Sequence, residues 1–206
     1  MQAAPVNPPS ISAEAEQRLR LFAALLGRWT QRINLVSRRD VPHLWQRHVL
    51  DSLRLAPLLP AGAMGAIGQA GDAGAIDLGS GAGLPGLVLA IATGVRFDLV
   101  EADKRKAAFL TEAAAATAAP VRVHAVRIET VSLPPAPVVT ARALAPLPVL
   151  LGLAAPLLAP GGTLLFPKGA QAAGEIEAAR ALWRFELETL GPADSPILRI
   201  TDPQRV

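Results

Sequence analysis

The chain is 206 residues long, 51% hydrophobic and free of cysteine, which suits one domain with a sizeable core and excludes disulfides, thiolate metal sites and a cysteine nucleophile. No apolar run reaches the roughly 18 residues of a membrane span, and the start of the chain lacks the basic and apolar stretches of a signal peptide, so a cytoplasmic protein with no membrane partner is expected. The formal charge of +3 is uneven, because residues 18–54 carry eight arginines against two acids. A basic segment on a near-neutral body points to a polyanion such as RNA; the plainer reading is a solvated arginine-rich face.

Residues 1–10 are proline-rich and expected to be a disordered tail. From Ser12 the spacing of Leu19, Phe22, Ala23 and Leu26 predicts a helix that Gly27 could stop. Residues 28–39 read as a basic linker. Asp40 as N-cap, with Pro42 in the first turn, predicts a second helix over 40–55. Residues 59–74, rich in Ala and Gly, read as a flexible connection. Strands then alternate with helices: strand 75–78, helix 84–92, strand 96–101, helix 104–118, strands 121–126 and 137–140, a proline-interrupted helix 146–158, strand 163–167 and helix 172–182. Residues 185–190 and 197–200 suggest an antiparallel pair. This alternation predicts an α/β fold with a parallel sheet covered on both faces. The organisation expected is a tail over 1–10, basic RNA-facing helices over 11–60 and a core over 61–206.

The segment Ala75-Ile-Asp-Leu-Gly-Ser-Gly-Ala-Gly-Leu-Pro-Gly86 is strand, glycine turn and helix start, the opening of a nucleotide-binding unit. Two cofactors compete for it. Gly81-Ala-Gly83-Leu-Pro-Gly86 satisfies the dinucleotide fingerprint, with Glu101 about 20 residues on for the ribose. Asp77-Leu-Gly79-Ser-Gly81-Ala-Gly83, with the same Glu101 ending a second strand, matches the acid and alternate-glycine pattern of S-adenosylmethionine enzymes. A pyrophosphate prefers a helix N-terminus without a carboxylate beside it, so Asp77 argues against a dinucleotide. An ammonium and a sulfonium tolerate that acid. Glycines present only for helix–strand packing are the plainer alternative.

Further motifs follow in order: Asn34-Leu35, Arg47-His48-Val-Leu-Asp51-Ser52-Leu53, Glu101-Ala-Asp103-Lys-Arg-Lys-Ala-Ala-Phe109-Leu110, Ala141-Arg142-Ala143, Leu158-Ala-Pro160-Gly-Gly162 and Lys168-Gly169. Together with the glycine loop, they make the chain resemble, over roughly 20–200, the ribosomal small-subunit methyltransferase G family, also called glucose-inhibited division protein B. The resemblance implies a seven-stranded, Rossmann-like class I methyltransferase sheet preceded by N-terminal helices. It implies an S-adenosylmethionine-dependent enzyme that methylates N7 of one guanine in 16S ribosomal RNA. It places Asp77, Gly79, Gly81, Gly83 and Leu84 at the cofactor, Gly79 and Leu84 lining its methionine end, with Glu101 on the ribose hydroxyls. Ile128-Glu129 would lie beside the adenine, where the family usually has Ala-Glu, and Arg142 would join the site.

Methylation of guanine N7 needs no proton removed, so positioning rather than a general base is expected. The candidates to position the base are His48, Arg142 and Lys168. His48, Asp51 and Ser52 share one helix face; they could floor the site or simply form a buried polar cluster. Arg38, Arg39, Arg47 and Lys168 are candidates for RNA phosphate. His43, His48 and His124 have no metal-ligand spacing, so no metal is expected. The partner expected is 16S ribosomal RNA or the small ribosomal subunit, with the protein a monomer. An NAD(P)-binding oxidoreductase, which would lack a catalytic tyrosine here, and a non-catalytic RNA-binding protein on the same fold remain the alternatives.

Overall fold

The computed structural model describes residues 7–59 and 74–206. Residues 7–12 have no regular structure, and the remainder of the expected tail lies outside the described residues, as does the connection expected over 59–74 apart from its ends. Helix α1 (Ala13–Thr30) starts where Ser12 Oγ accepts the Ala15 N–H at 3.1 Å. Leu19, Phe22 and Leu26 on its inner stripe are fully buried. Gly27 does not end it: Trp29 packs on Phe109 with ring centroids 5.7 Å apart, and this contact carries the helix past a residue that costs it ~1 kcal/mol.

The helix expected over 40–55 is composite. Arg38–His43 is a 3-10 helix, Trp45–Leu50 a π-helix, and α2 (Asp51–Leu53) closes it. Pro42 has no N–H to give an α ladder, which accounts for the irregular start. The cap is Ser37, whose Oγ accepts from Arg39, and not Asp40, whose carboxylate pairs with Arg47 at 2.6 Å.

The remaining elements are β1 (Ala75–Leu78), α3 (Gly86–Thr93), β2 (Phe97–Val100), α4 (Lys104–Thr117), β3 (Val121–His124), β4 (Ala136–Ala141), α5 (Leu147–Ala154), β5 (Leu158–Pro167), α6 (Ala172–Arg180), β6 (Trp183–Leu190) and β7 (Ile197–Arg205). They form a seven-stranded sheet in the order β3-β2-β1-β4-β5-β7-β6. The first five strands are parallel; β7 runs antiparallel to both β5 and β6. This is the α/β architecture the alternation predicts. Several boundaries differ, most by one or two residues; β7 runs to Arg205, five residues past the expected 200, and three others stand out. Helix α3 begins at Gly86, after Pro85, and not at Leu84. The helix expected over 146–158 stops at Ala154, and a 3-10 turn containing Pro156 follows. Strand β5 starts at Leu158, five residues before the expected 163, because Leu158 pairs with Ala136 across an irregularity in the ladder.

One face of the sheet buries α1, the composite helix, α3 and α4; the other buries α5 and α6. Strand β1 lies between β2 and β4, so the chain leaves β1 in one direction and later returns on its other side. Open α/β sheets bind ligands at such a switch point, outside the carboxyl ends of the strands.

Candidate active site

Two cavities meet at the carboxyl ends of β1 and β4. The smaller, about 260 Å³, is lined by Ser37, His48, Gly79, Gly81, Leu84 and Lys106, among others. The larger, about 510 Å³, takes in Asp51, Arg54, Lys168, Glu175 and Asp194. Arg142 and Ala143 line both. Ala143 has φ of 53°, a left-handed conformation that a non-glycine residue adopts at a cost. The strained residue thus stands at the junction of the two spaces.

The glycine loop forms the wall of the smaller cavity. Gly79 has φ of 64°, and a Cβ there would lie 2.6 Å from Leu144 Cδ1, so conformation and space both demand glycine. The Gly81 N–H donates to Glu101 Oε2 at 2.8 Å, and the Asp103 N–H donates to Glu101 Oε1 at 2.8 Å. Each carboxylate oxygen keeps a second lone pair for a hydroxyl donor. Asp103 caps α4 by accepting from the Arg105 N–H at 2.8 Å. Glu101 is buried behind the loop and does not itself line either cavity; the bare backbone with this acid behind it fits the nucleoside and amino-acid parts of S-adenosylmethionine.

Asp77 lies under this loop and does not line the cavity. It is fully buried, Thr140 Oγ1 donates to its Oδ1 at 2.6 Å, and Ser80 Oγ donates to its carbonyl at 2.9 Å. Gly86 passes so close that a Cβ there would lie 2.6 Å from the Asp77 Cβ. Burial pushes the Asp77 carboxyl up to about 6, against the opposing hydrogen bonds from Thr140 and the Gly86 N–H. The acid expected at the cofactor site therefore braces the turn from below. Gly83 is also absent from the cavity lining; a Cβ there would press on Leu87 and Leu110, so it serves helix–strand packing.

Charged side chains from distant parts of the chain form the opposite wall. Arg142 follows β4, and its guanidinium lies 3.3 Å from Asp51 Oδ2 and 3.1 Å from His48 Nδ1. It also donates to the Arg47 carbonyl at 3.4 Å. Arginine only donates, so His48 Nδ1 is the acceptor and its proton sits on Nε2, 3.5 Å from Asp40 Oδ2. Burial, then the Arg142 charge, holds the His48 pKa below its ordinary value despite Asp40 and Asp51 nearby. Asp51 also pairs with Arg54 at 2.8 Å, and Arg54 donates to the Ser195 carbonyl at 2.9 Å, tying the β6–β7 turn to the composite helix. His48 Nε2 and Ser52 Oγ are buried without a hydrogen-bond partner among the described residues.

The other expected site residues separate into two groups. Arg38 and Arg39 are exposed and make no ion pair among the described residues; Arg47 is exposed but held by Asp40. Lys168 is not an exposed turn lysine open to phosphate. Its side chain is 9% exposed, and Nζ donates to Glu175 at 2.7 Å and to the Ala145 carbonyl at 3.0 Å. Glu175 also accepts the Leu147 N–H, so this pair fastens α5 to α6 in the wall of the larger cavity. Ile128 is partly buried against the core of the second sheet face, and Glu129 is exposed, 3.6 Å from Arg127. Neither lines the two cavities. Sequence reasoning missed Ala143, Lys106, Ser37 and Glu175. Only Lys106 carried a signal, as part of the basic turn that opens α4. Among the described residues no group of His, Asp and Glu could hold a metal ion, and no helix is long and apolar enough to cross a membrane.

Comparison with known proteins agrees with this geometry. The model of the rRNA small subunit methyltransferase G family matches residues 15–191. A ribosomal RNA small subunit methyltransferase G from Granulibacter bethesdensis is 52% identical over 200 residues, covering 95% of this chain and 89% of that one. Its counterpart from Acidiphilium cryptum is 52% identical over 201 residues, covering 95% and 88%. Among solved structures, the N-methyltransferase NodS from Bradyrhizobium japonicum in complex with S-adenosylhomocysteine superposes with a TM-score of 0.55 at 15% identity, over 87% of this chain and 99% of that one. At that identity the likeness is one of fold.

Proposed function

Since the chain belongs to the rRNA small subunit methyltransferase G family, we propose that it transfers the methyl group of S-adenosylmethionine to N7 of a guanine in 16S ribosomal RNA. The observation that carries the reading is the pair of cavities meeting at Arg142 and Ala143. One presents the glycine loop to a cofactor, with the buried Glu101 behind it on the Gly81 N–H. The other is roomy enough for a purine and faces the same junction.

When bound, S-adenosylmethionine supplies an electrophilic methyl on a sulfonium. The N7 lone pair forms the new bond to that carbon as the carbon–sulfur bond breaks, and the positive charge moves from sulfur to the purine. No proton leaves N7, so the chain need only align the two partners. Gly79 and Gly81 offer backbone to the amino-acid end, and Glu101 accepts from the ribose. Arg142, held by Asp51, has the donor chemistry for O6 beside N7. His48, neutral through burial, keeps Arg142 in place without adding a second charge. Arg38 and Arg39 at the rim take phosphates, and Arg47 joins them if it leaves Asp40. In this reading the protein acts as a monomer in the cytoplasm, on the RNA or on the small subunit.

The test is transfer of labelled methyl from S-adenosylmethionine to small subunits that lack the modification, followed by digestion to nucleosides. Label in 7-methylguanosine is the expected result. Label in another nucleoside, or none, contradicts the reading.

A further inference from the structure

A third cavity, about 350 Å³, lies between the end of α1 and the middle of α4, lined by Arg28, Trp29, Gln31, Arg32 and Glu112. It is outside the site described above. We propose that it is a second RNA-binding site, which takes a nucleotide flanking the target guanine; the proposal rests on the methyltransferase reading for the identity of the RNA.

The arginines of residues 18–54 divide by what they touch. Arg18 donates to the Thr117 and Ala118 carbonyls, Arg20 to Glu16, Arg47 to Asp40 and Arg54 to Asp51. Each of these is committed to the protein. Arg28, Arg32, Arg38 and Arg39 make no side-chain hydrogen bond or ion pair among the described residues, and all four are exposed. Glu112 shares the groove with Arg28 and Arg32, yet neither arginine pairs with it. Arg28 stands in the last turn of α1 and Arg32 in the turn that follows it, and both line the groove. Two free guanidiniums on one wall match the oxygens of a phosphodiester.

Trp29 supplies the second element. It is half-buried, anchored on Phe109, and lines the groove. A fixed aromatic beside free arginines suits a base as well as a phosphate. Glu112 stands on the α4 wall and repels a phosphate there, so the phosphate sits along α1. The carboxylate and the Gln31 amide then face the base edge, where they can accept from its N–H groups.

The groove also lies at the right distance. Lys106 lines the cofactor cavity, and Glu112 is six residues further along the same helix, about 9 Å at 1.5 Å per residue. Arg32 and Leu35, which lines the cofactor cavity, are three residues apart, so their Cα atoms lie within about 11 Å. A stacked strand covers that span in about three nucleotides at ~3.4 Å each. Arg38 and Arg39 directly follow Ser37, which lines the cofactor cavity, so the free arginines flank it on the chain from Arg28 to Arg39.

The experiment compares R28E/R32E with R184E/R205E, which makes the same charge change on exposed arginines of the β6–β7 edge. Binding of unmodified small ribosomal subunits is measured against salt, with S-adenosylhomocysteine affinity as the check on folding. R28E/R32E should weaken binding at least tenfold more than the control and lower the slope of log K against log salt by about 1, for the one phosphate the two arginines share. Affinity for S-adenosylhomocysteine should be unchanged. Equal weakening by the two double variants, or an unchanged slope, overturns the proposal. Because binding is read without methyl transfer, failure of the groove is distinguishable from failure of the methyltransferase reading, which would show as wild-type protein that binds subunits and leaves no label on them.

Discussion

On the cofactor side of the crevice the chain offers backbone, Gly79 and a Gly81 held by Glu101; on the opposite side it offers Arg142, Asp51 and His48 locked in an ionic cluster. The first wall is local: Glu101 is 20 residues from the amide it receives. The second is assembled over distance, with Arg142 and His48 94 residues apart. A wall of backbone is damaged by adding atoms, and a wall of charged side chains by removing them. The two sides should therefore fail in different ways.

The largest effect should come from the backbone wall. Gly79→Asp puts a Cβ into Leu144, forces an aspartate to φ of 64° and brings a carboxylate into the cavity. S-adenosylhomocysteine affinity should fall at least ~100-fold, as expected when a side chain is forced into a packed, strained position. On the ionic wall, Arg142→Ala strands Asp51 and His48 but leaves the glycine loop intact. Methyl transfer should slow by about 100-fold, the scale of a misplaced substrate, while S-adenosylhomocysteine affinity changes little. A loss of cofactor affinity equal to the loss of rate would show that the walls are not separable.

Asp77 probes the brace beneath the first wall. Its folded-state pKa, about 6, is above the ordinary 3.8, so the folded protein binds this proton more tightly than the unfolded chain. Asp77 thus costs no stability below pH 3.8, and stability falls as pH rises through 6, by at most about 3 kcal/mol. Asp77→Asn should remove that fall, which urea unfolding of both proteins across pH 4–8 would detect as a difference confined to this window. The smallest effect should come from Lys168→Ala. Glu175 would keep the Leu147 N–H, so a loss of about 1–2 kcal/mol in unfolding free energy is expected, with subunit binding unchanged. Weaker binding at unchanged stability would return Lys168 to the RNA contacts.

The same contrast decides what the sequence reveals. The strand, turn and helix around Gly79 and Gly81 are legible because their residues are neighbours and each glycine has a local reason. Glu101 is legible from its spacing. Asp77 is visible as an acid but not as a buried one, since its depth depends on Thr140 and the close pass of Gly86. Arg142 can be placed at the end of a strand, yet its partners cannot be read, because Asp51 and His48 reach it only through the packing of the composite helix. That helix is itself misread as regular from Asp40, whose carboxylate bonds side chains and not the helix amides. Lys168 is missed for a like reason: its partner Glu175 lies on the next helix, and nothing in the Pro-Lys-Gly turn indicates burial.

Calorimetric titration of S-adenosylhomocysteine into the wild-type protein and Gly79→Asp, with Arg142→Ala in parallel, tests the placement of the cofactor most directly. The account predicts binding by the wild type and by Arg142→Ala with similar affinity, and none measurable by a folded Gly79→Asp. Wild-type affinity in Gly79→Asp would contradict it.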